Sequence, residues 1–488
     1  MLLVVDKDVA LMQVSKSVEE SSLAEALVGE ERKKRPHYGQ VRHLGTSGFL
    51  VMYGVSLVPY TAVVMGQDYQ NSSTDQGEEP QLAAYITTVH LDSNLYDQYH
   101  HLFQFTIPKL PVSGAELDQP IAFIRGTGAP YSDLWIQELR QGSIDAFVAL
   151  LLAQLSNVRY LYLANDFTRQ SALVGMVLRS AICELVDYGL PDFRHLRDVT
   201  FLKPECQDWA RDMKVKTTQD VLPFFYLPSV QRMSASIENP AEFTWPAAHL
   251  PVPSKLTSLE LTIVREAYLG ELLALTPKLE TLRWHWYFDY GVIDKFTTPI
   301  VNLDWIVAVI SRVRGTLTDL TLSAECGLGG GDQFLPGIKI VGSLQRMVGF
   351  DKLKRLQVPW PFLVGFAQDM TKRLQDVIPR NIEFLTITDD LNLQNEGGMV
   401  KALPRWEWTD DAMLGLLQSW LKDWKACTPH LRGITLLLSW NDDNEWSPRM
   451  RDQLRELGAH AGVPLELIEL DGFENSVYLS SFTRATWP

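Results

Sequence analysis

The densest group of metal-ligand side chains in the chain is His90, Asp92, His100 and His101. On a strand, His90 and Asp92 share one face. A zinc site needs three or four converging ligands. His100 and His101 fall instead in an aromatic stretch with Tyr96, Tyr99 and Phe103, so no metal site is expected. Gly327-Leu-Gly-Gly-Gly331 imitates a phosphate-binding loop. Asp332 stands where a dinucleotide fingerprint needs its third glycine, and no Gly-Lys-Ser/Thr follows. A plain loop is the expectation. The sequence contains no GxSxG elbow, no HExxH and no kinase signature set. With 59 acidic residues, paired carboxylates arise by accident and identify no glycosidase. The cysteines at 183, 206, 326 and 427 form no CxxC pair, so neither a disulfide framework nor a zinc knuckle is indicated. They read as free thiols in a reducing compartment, cytoplasmic or nuclear. No catalytic, cofactor-binding or metal residue is assigned, and no cofactor is expected.

With local chemistry this sparse, the elements that would position side chains carry the information. One six-residue pattern recurs: apolar, x, x, apolar, x, apolar. Its copies begin at Ile86, Val158, Leu196, Leu256, Leu279, Leu317, Leu353, Ile382, Leu431 and Leu465. The last copy is read as Leu465, Ile468 and Leu470. Intervening positions are mostly Thr, Arg, Glu or Asp, as half-buried strands require. Spacings such as 23 (256 to 279) and 38 (279 to 317) fit leucine-rich units with insertions. The wider gaps from 86 to 158, 196 to 256 and 382 to 431 hold either unrecognised strands or longer insertions.

Helical periodicity fills several intervals. Leu303, Ile306, Val307, Ile310 and Val313 predict a helix over 300–313. Thr409 and Asp410 can cap a helix running through Leu414, Leu417, Leu421 and Trp424. Further helices are predicted over 144–155, 171–185 and 449–459. Strand then helix, repeated in one direction, implies parallel strands joined by right-handed crossovers. No unit covers its own apolar face, so neighbours must stack. The expected fold class is α/β: an irregular leucine-rich-repeat-like solenoid, with parallel strands on the concave face and helices on the convex face.

Alternation along a strand then predicts a binding surface. With the apolar positions inward, Tyr160, Tyr162, Asp198, Glu260, Arg283, His285, Asp319, Gln357 and Phe384 line the exposed concave side. Tyr and Arg are favoured at interface hot spots because they bury large areas and also hydrogen-bond.

From Leu279 to Leu438 the chain resembles the fungal F-box and leucine-rich-repeat-like proteins. The stretches that carry the resemblance begin at Leu279 (Leu-Glu-Thr-Leu-Arg-Trp), Leu317 (Leu-Thr-Asp-Leu-Thr-Leu), Phe350 (Phe-Asp-Lys-Leu-Lys-Arg-Leu), Ile378 and Thr428. The resemblance implies a substrate receptor of an SCF ubiquitin ligase. Its repeats would hold a protein substrate, and an N-terminal F-box would dock on the SCF adaptor and, through it, the cullin. Residues 1–66 show no Leu-Pro-x-Glu start and no leucine-spaced F-box helices. The family's asparagine, three places after the last apolar strand position, appears only as Asn94; Val264, Glu325 and Asp390 occupy later copies.

Charge and the N-terminal segment complete the reading. The chain of 488 residues has 44 Lys plus Arg against 59 Asp plus Glu, a formal net charge of −15. Such a chain repels phosphate at long range, which argues against nucleic acid as its main partner. Gly45 to Gln67 is free of charge and long enough to span a bilayer. Gly54, Ser56 and Pro59 interrupt it, so two short strands fit better than a membrane helix. Residues 67–80 read as a polar linker. The expected organisation is 1–66 as a segment of its own, 67–80 as linker and 81–488 as the repeat region. The functional reading is a non-enzymatic protein-binding repeat protein. Its rivals are a stand-alone scaffold without a ubiquitin role and an enzyme with a site built from scattered residues.

Overall fold

The computed structural model describes residues 49–50, 60–66, 82–93, 109–112, 114–168, 171–202, 220–289, 298–327, 337–369, 371–395, 401, 403–439 and 447–470. His100, His101, Asn94, Cys206, Gly329, Gly330, Gly331 and the linker at 67–80 lie outside them.

Eleven parallel strands form one sheet in which spatial order repeats chain order. They are β3 (Ile86–Ser93), β4 (Tyr160–Leu163), β5 (Asp198–Phe201), β6 (Arg232–Ser236), β7 (Ser258–Thr262), β8 (Thr281–Asp289), β10 (Asp319–Gly327), β12 (Arg355–Pro359), β13 (Phe384–Thr388), β14 (Gly433–Ser439) and β15 (Leu465–Leu470). Two further strands extend the β3 edge as antiparallel neighbours, β1 (Phe49–Leu50) on β2 (Tyr60–Gly66) and β2 on β3. Residues 60–66 therefore join the same sheet as the repeat strands, across the expected linker. The charge-free N-terminal stretch thus contributes two strands, and no helix among the described residues is long and apolar enough to cross a membrane. A separate two-stranded parallel sheet pairs β9 (Ile300–Asn302) with β11 (Lys339–Val341).

The pairing register explains why the six-residue pattern was legible. Its second and third apolar positions stack strand by strand on the core side. One row runs Val89, Leu161, Val199, Met233, Leu259, Leu282, Leu320, Leu356, Leu385 and Ile434, all at most 2% exposed. The first apolar position of each copy from Ile86 to Ile382 is equally buried. Fully burying one such side chain contributes about 1.5–3 kcal/mol. Repeated across ten strands, this fixes the register, because a slip of one residue would turn every row into solvent.

Two departures have physical causes. The gap from 196 to 256 holds β6, whose apolar positions are Val230, Met233 and Ala235; Ala235 is too small to stand out by hydrophobicity. The last copy sits in another register. Leu465 and Leu467 pair with Ile434 and Leu436, whereas Ile468 is turned outward and 36% exposed. Leu-Glu-Leu-Ile-Glu-Leu offers apolar residues to either frame, and pairing with β14 uses the frame of Leu465 and Leu467.

Helices lie between strands and bury apolar faces against the core. The interval from 86 to 158 contains α1 (Asp118–Thr127), α2 (Ser132–Arg140) and α3 (Ile144–Ala153), of which only the last was predicted. Next come α4 (Ala172–Ile182), α5 (Glu266–Leu273) and α6 (Leu303–Ile310). The helix expected over 300–313 begins three residues late because Ile300–Asn302 is strand; Asn302 caps α6 by accepting from the Trp305 N–H at 3.0 Å. α7 (Asp410–Leu421) stops before Trp424, which starts a separate turn. α8 (Pro448–Ala461) is capped by Ser447, which accepts from the Met450 N–H, and it packs on β15.

Candidate functional site

The short strands alternate over their first four residues. In β4 and β5, Leu161, Leu163, Val199 and Phe201 are buried, whereas Tyr160, Tyr162, Asp198 and Thr200 face the other way and are half-buried or exposed. β6, β7, β12 and β13 follow the same rule. All nine predicted surface residues consequently fall on the outward face, in register rows. One row carries Tyr160, Asp198, Arg232, Ser258, Thr281, Asp319, Arg355 and Phe384. The next carries His90, Tyr162, Thr200, Ser234, Glu260, Arg283, Thr321 and Gln357. At about 4.8 Å per strand, Tyr160 and Phe384 are roughly 30 Å apart along the sheet. This is an extended surface, not one convergent site.

The face is not uniform. Over β3–β6 it is open. Tyr160 is 42% exposed, the His90 and Tyr162 rings stack at 4.2 Å and 5°, and Arg197 and Arg232 are exposed. Arg232 forks onto Asp198, Nε to Oδ1 at 2.5 Å and Nη2 to Oδ2 at 3.1 Å.

The face closes at the far ends of β8 and β10, while the outward residues of the neighbouring strands stay half-buried and Arg355 stays exposed. His285, expected to be exposed, is 4% exposed. β8 and β10 run nine residues each, past the ends of their neighbours, and they carry His285, Tyr287, Ser323 and Glu325 beyond the short ladder. His285 Nδ1 meets Ser323 Oγ at 2.9 Å, and its Nε2 lies 3.6 Å from Glu325 Oε2. β12 leaves β10 after Thr321 pairs with Gln357; Pro359 and Pro361 turn it into the short helix Trp360–Val364. The Ala324 N–H, beyond that departure, is taken by Asp390 Oδ2 at 2.7 Å. Asp390, one of the positions named above where asparagine is missing, thus bonds the backbone of a neighbouring strand. The chain turns sharply after it, with Leu391 at φ +67°.

Burial raises the Glu260 carboxyl above its ordinary pKa, opposed by Arg283, the Ser234 hydroxyl and His285. Burial also raises Asp390, opposed by Thr388, the Ala324 N–H and His285, while Glu325 adds to the rise. The remaining predicted residues, Asp319, Gln357 and Phe384, are half-buried. Asp319 pairs with Arg355 at 3.2 Å, and that guanidinium lies over the Phe384 ring at 5.8 Å.

Beneath the sheet, a second polar network was not foreseen. Arg265 and Glu266 are 2% and 4% exposed and pair at 3.1 Å. Arg265 also donates to the Thr298 and Ile300 carbonyls, and it lies 4.5 Å over the Trp286 ring, whose Nε1 donates to Glu266. Asn239 bridges to the next unit, donating to the Ile263 carbonyl and accepting from the Arg265 N–H. Each of these partners is internal, so the network braces β7 and β8 and presents nothing to a ligand. The adjacent Arg-Glu pair was a sequence signal, but nothing in it announced burial.

An open cavity of about 580 Å³ lies elsewhere, between α4 and β5, lined by Asn157, Ser180, Glu184, Tyr188, Asp192 and Arg194 among others. The nearby Cys183 thiol is pushed up to about 12 by burial, which keeps it protonated and poorly nucleophilic. Among the described residues no group of three or more His, Cys, Asp or Glu is placed to hold a metal ion. Comparison with family models, curated proteins and solved structures found no match.

Proposed function

We propose that the chain is a non-enzymatic protein-binding repeat protein. Its partner lies against the outward sheet face, the concave side of an irregular leucine-rich-repeat-like solenoid. The observation that carries this reading is the open stretch over β3–β6. There Tyr160, the stacked His90–Tyr162 pair and the arginines stand in register on a rigid sheet. Aromatic and arginine side chains held in place lose little entropy on binding, which suits them to hot spots. The place of the chain in an SCF ubiquitin ligase comes from the resemblance of residues 279–438 alone.

The test is affinity purification of the tagged full-length protein from its own cells, with mass spectrometry of what accompanies it. A folded Tyr160→Ala/Tyr162→Ala variant should lose its co-purifying proteins; full retention overturns the surface assignment. Recovery of the SCF adaptor and cullin by both forms supports the ligase reading, with partners lost by the variant as candidate substrates. Their absence from both leaves a stand-alone scaffold.

A further inference from the structure

Among the described residues, an arginine stands at or just before the start of each of β4, β5 and β6, and Asp198 lies among them. Arg159, Arg197 and Arg232 stand on successive units, and the backbone ties them together. The Arg197 N–H donates to the Arg159 carbonyl at 2.8 Å, and the Arg232 N–H donates to the Arg197 carbonyl at 3.1 Å. Asp198 is engaged by the Arg232 fork and is the more buried partner, 22% exposed against 69%. Among the described residues, Arg159 and Arg197 have no ion-pair or side-chain hydrogen-bond partner.

The far end of the sheet is built differently. Lys354 and Arg432 share Glu383 at 3.3 Å each, and Arg355 takes Asp319. Every cation named there has a carboxylate.

Two guanidiniums without a carboxylate among the described residues are a local departure in a chain of net charge −15. At physiological ionic strength the Debye length is about 8 Å, so the distant acids are screened and the corner acts on what touches it. Guanidinium forks favour carboxylate partners through paired N–H donors. Tyr160, beside them on the outward row, supplies apolar area.

We propose that the Arg159–Arg197 corner, with Tyr160, docks an acidic peptide segment of a protein partner, carboxylates on the guanidiniums and an apolar side chain on the tyrosine. This rests on the protein-binding reading above and gives the partner its chemistry.

The test is selection of a random dodecapeptide phage library on the purified full-length protein, with sequencing of the bound pool. The wild-type pool should be enriched in Asp and Glu over the input, and Arg159→Ser/Arg197→Ser should abolish that enrichment. Arg159→Lys/Arg197→Lys, which keeps the charge, should retain most of it. A selected peptide should bind at least tenfold more weakly at 500 mM than at 50 mM salt, a check that holds even if the serine variant misfolds. A pool without acidic enrichment, or one unchanged by the serine variant, overturns the proposal. So does equal competition by a single-stranded oligonucleotide of the same charge, which would mark a general polyanion surface. If Tyr160→Ala/Tyr162→Ala loses cellular partners while the serine variant keeps them, the face is an interface and only the acidic chemistry fails. If both keep them, the surface assignment itself falls.

Discussion

The outward face over β3–β6 and the same face at the far ends of β8 and β10 are built on one ladder, yet they differ in burial. In the first stretch, strands of four or five residues follow β3, and the side chains stay at the surface, with Tyr160 at 42% exposure. In the second, β8 and β10 overrun their neighbours, β12 turns away, and His285 is sealed at 4%. Strand length beyond the shared ladder decides the difference. Where the strands end together, the face stays open. Where two run on, their extra polar residues must find partners in the protein, since buried polar groups are costly when unsatisfied.

That comparison can be broken by substitution, starting with what both stretches stand on. Trp284→Ala would empty a fully buried site and remove a hydrogen bond to the Val264 carbonyl. Loss of about 3–5 kcal/mol is expected in urea unfolding, whereas Tyr160→Ala should change stability by under about 0.5 kcal/mol. For binding the order reverses. Tyr160→Ala/Tyr162→Ala should weaken partner binding by about 2 kcal/mol or more, roughly thirtyfold, at an unchanged melting temperature.

A smaller effect probes the closed stretch. Asp390→Ala leaves the Ala324 N–H without its acceptor and should cost about 1–3 kcal/mol. Asp390→Asn keeps an acceptor and should cost less. If both variants are neutral, the closed stretch is not held by this contact.

Protonation sharpens the picture again. Asp145 on α3 caps α4, its oxygens accepting from the Leu173 and Val174 N–H groups at 2.7 and 3.0 Å. Burial nevertheless raises its pKa from 3.8 to about 7, with Asp220 adding to the rise. The folded state therefore holds this proton more tightly than the unfolded chain. Its contribution to stability is full below about pH 4 and is lost as pH rises towards 7. Unfolding free energies of Asp145→Asn, measured from pH 4 to 8, should fall less steeply with pH than those of the wild type. The smallest effect is expected at the exposed Arg355: Arg355→Ala breaks a surface pair with Asp319 and should cost no more than about 1 kcal/mol.

How much of this was legible follows from where the physics is local. Apolar rows repeat on each strand, so nine of the ten copies gave both strand and face correctly. β6 escaped because Ala235 carries little hydrophobic signal, and β15 was misframed because it offers apolar residues to either register. The outward placement of all nine surface residues followed from parity alone. The burial of His285 did not, because it depends on where β12 departs, a matter of Pro359 and Pro361 on a different strand. The Arg265–Glu266–Trp286 network joins residues some twenty positions apart, and no spacing rule reaches it. The unpaired state of Arg159 and Arg197 was equally hidden, since it turns on Asp198 being claimed by Arg232.

The sequential strand order has one more consequence, and it concerns synthesis. From β3 onward each strand of the large sheet pairs with the strand made just before it. A growing chain can therefore lay each strand on a finished edge as it leaves the ribosome, without waiting for a distant C-terminal partner. Such an order permits assembly as a zipper, and among the described residues its last strand is β15, on which α8 packs. Stalled translation would leave shorter sheets whose last strand exposes an unpaired edge, the feature most prone to aggregate.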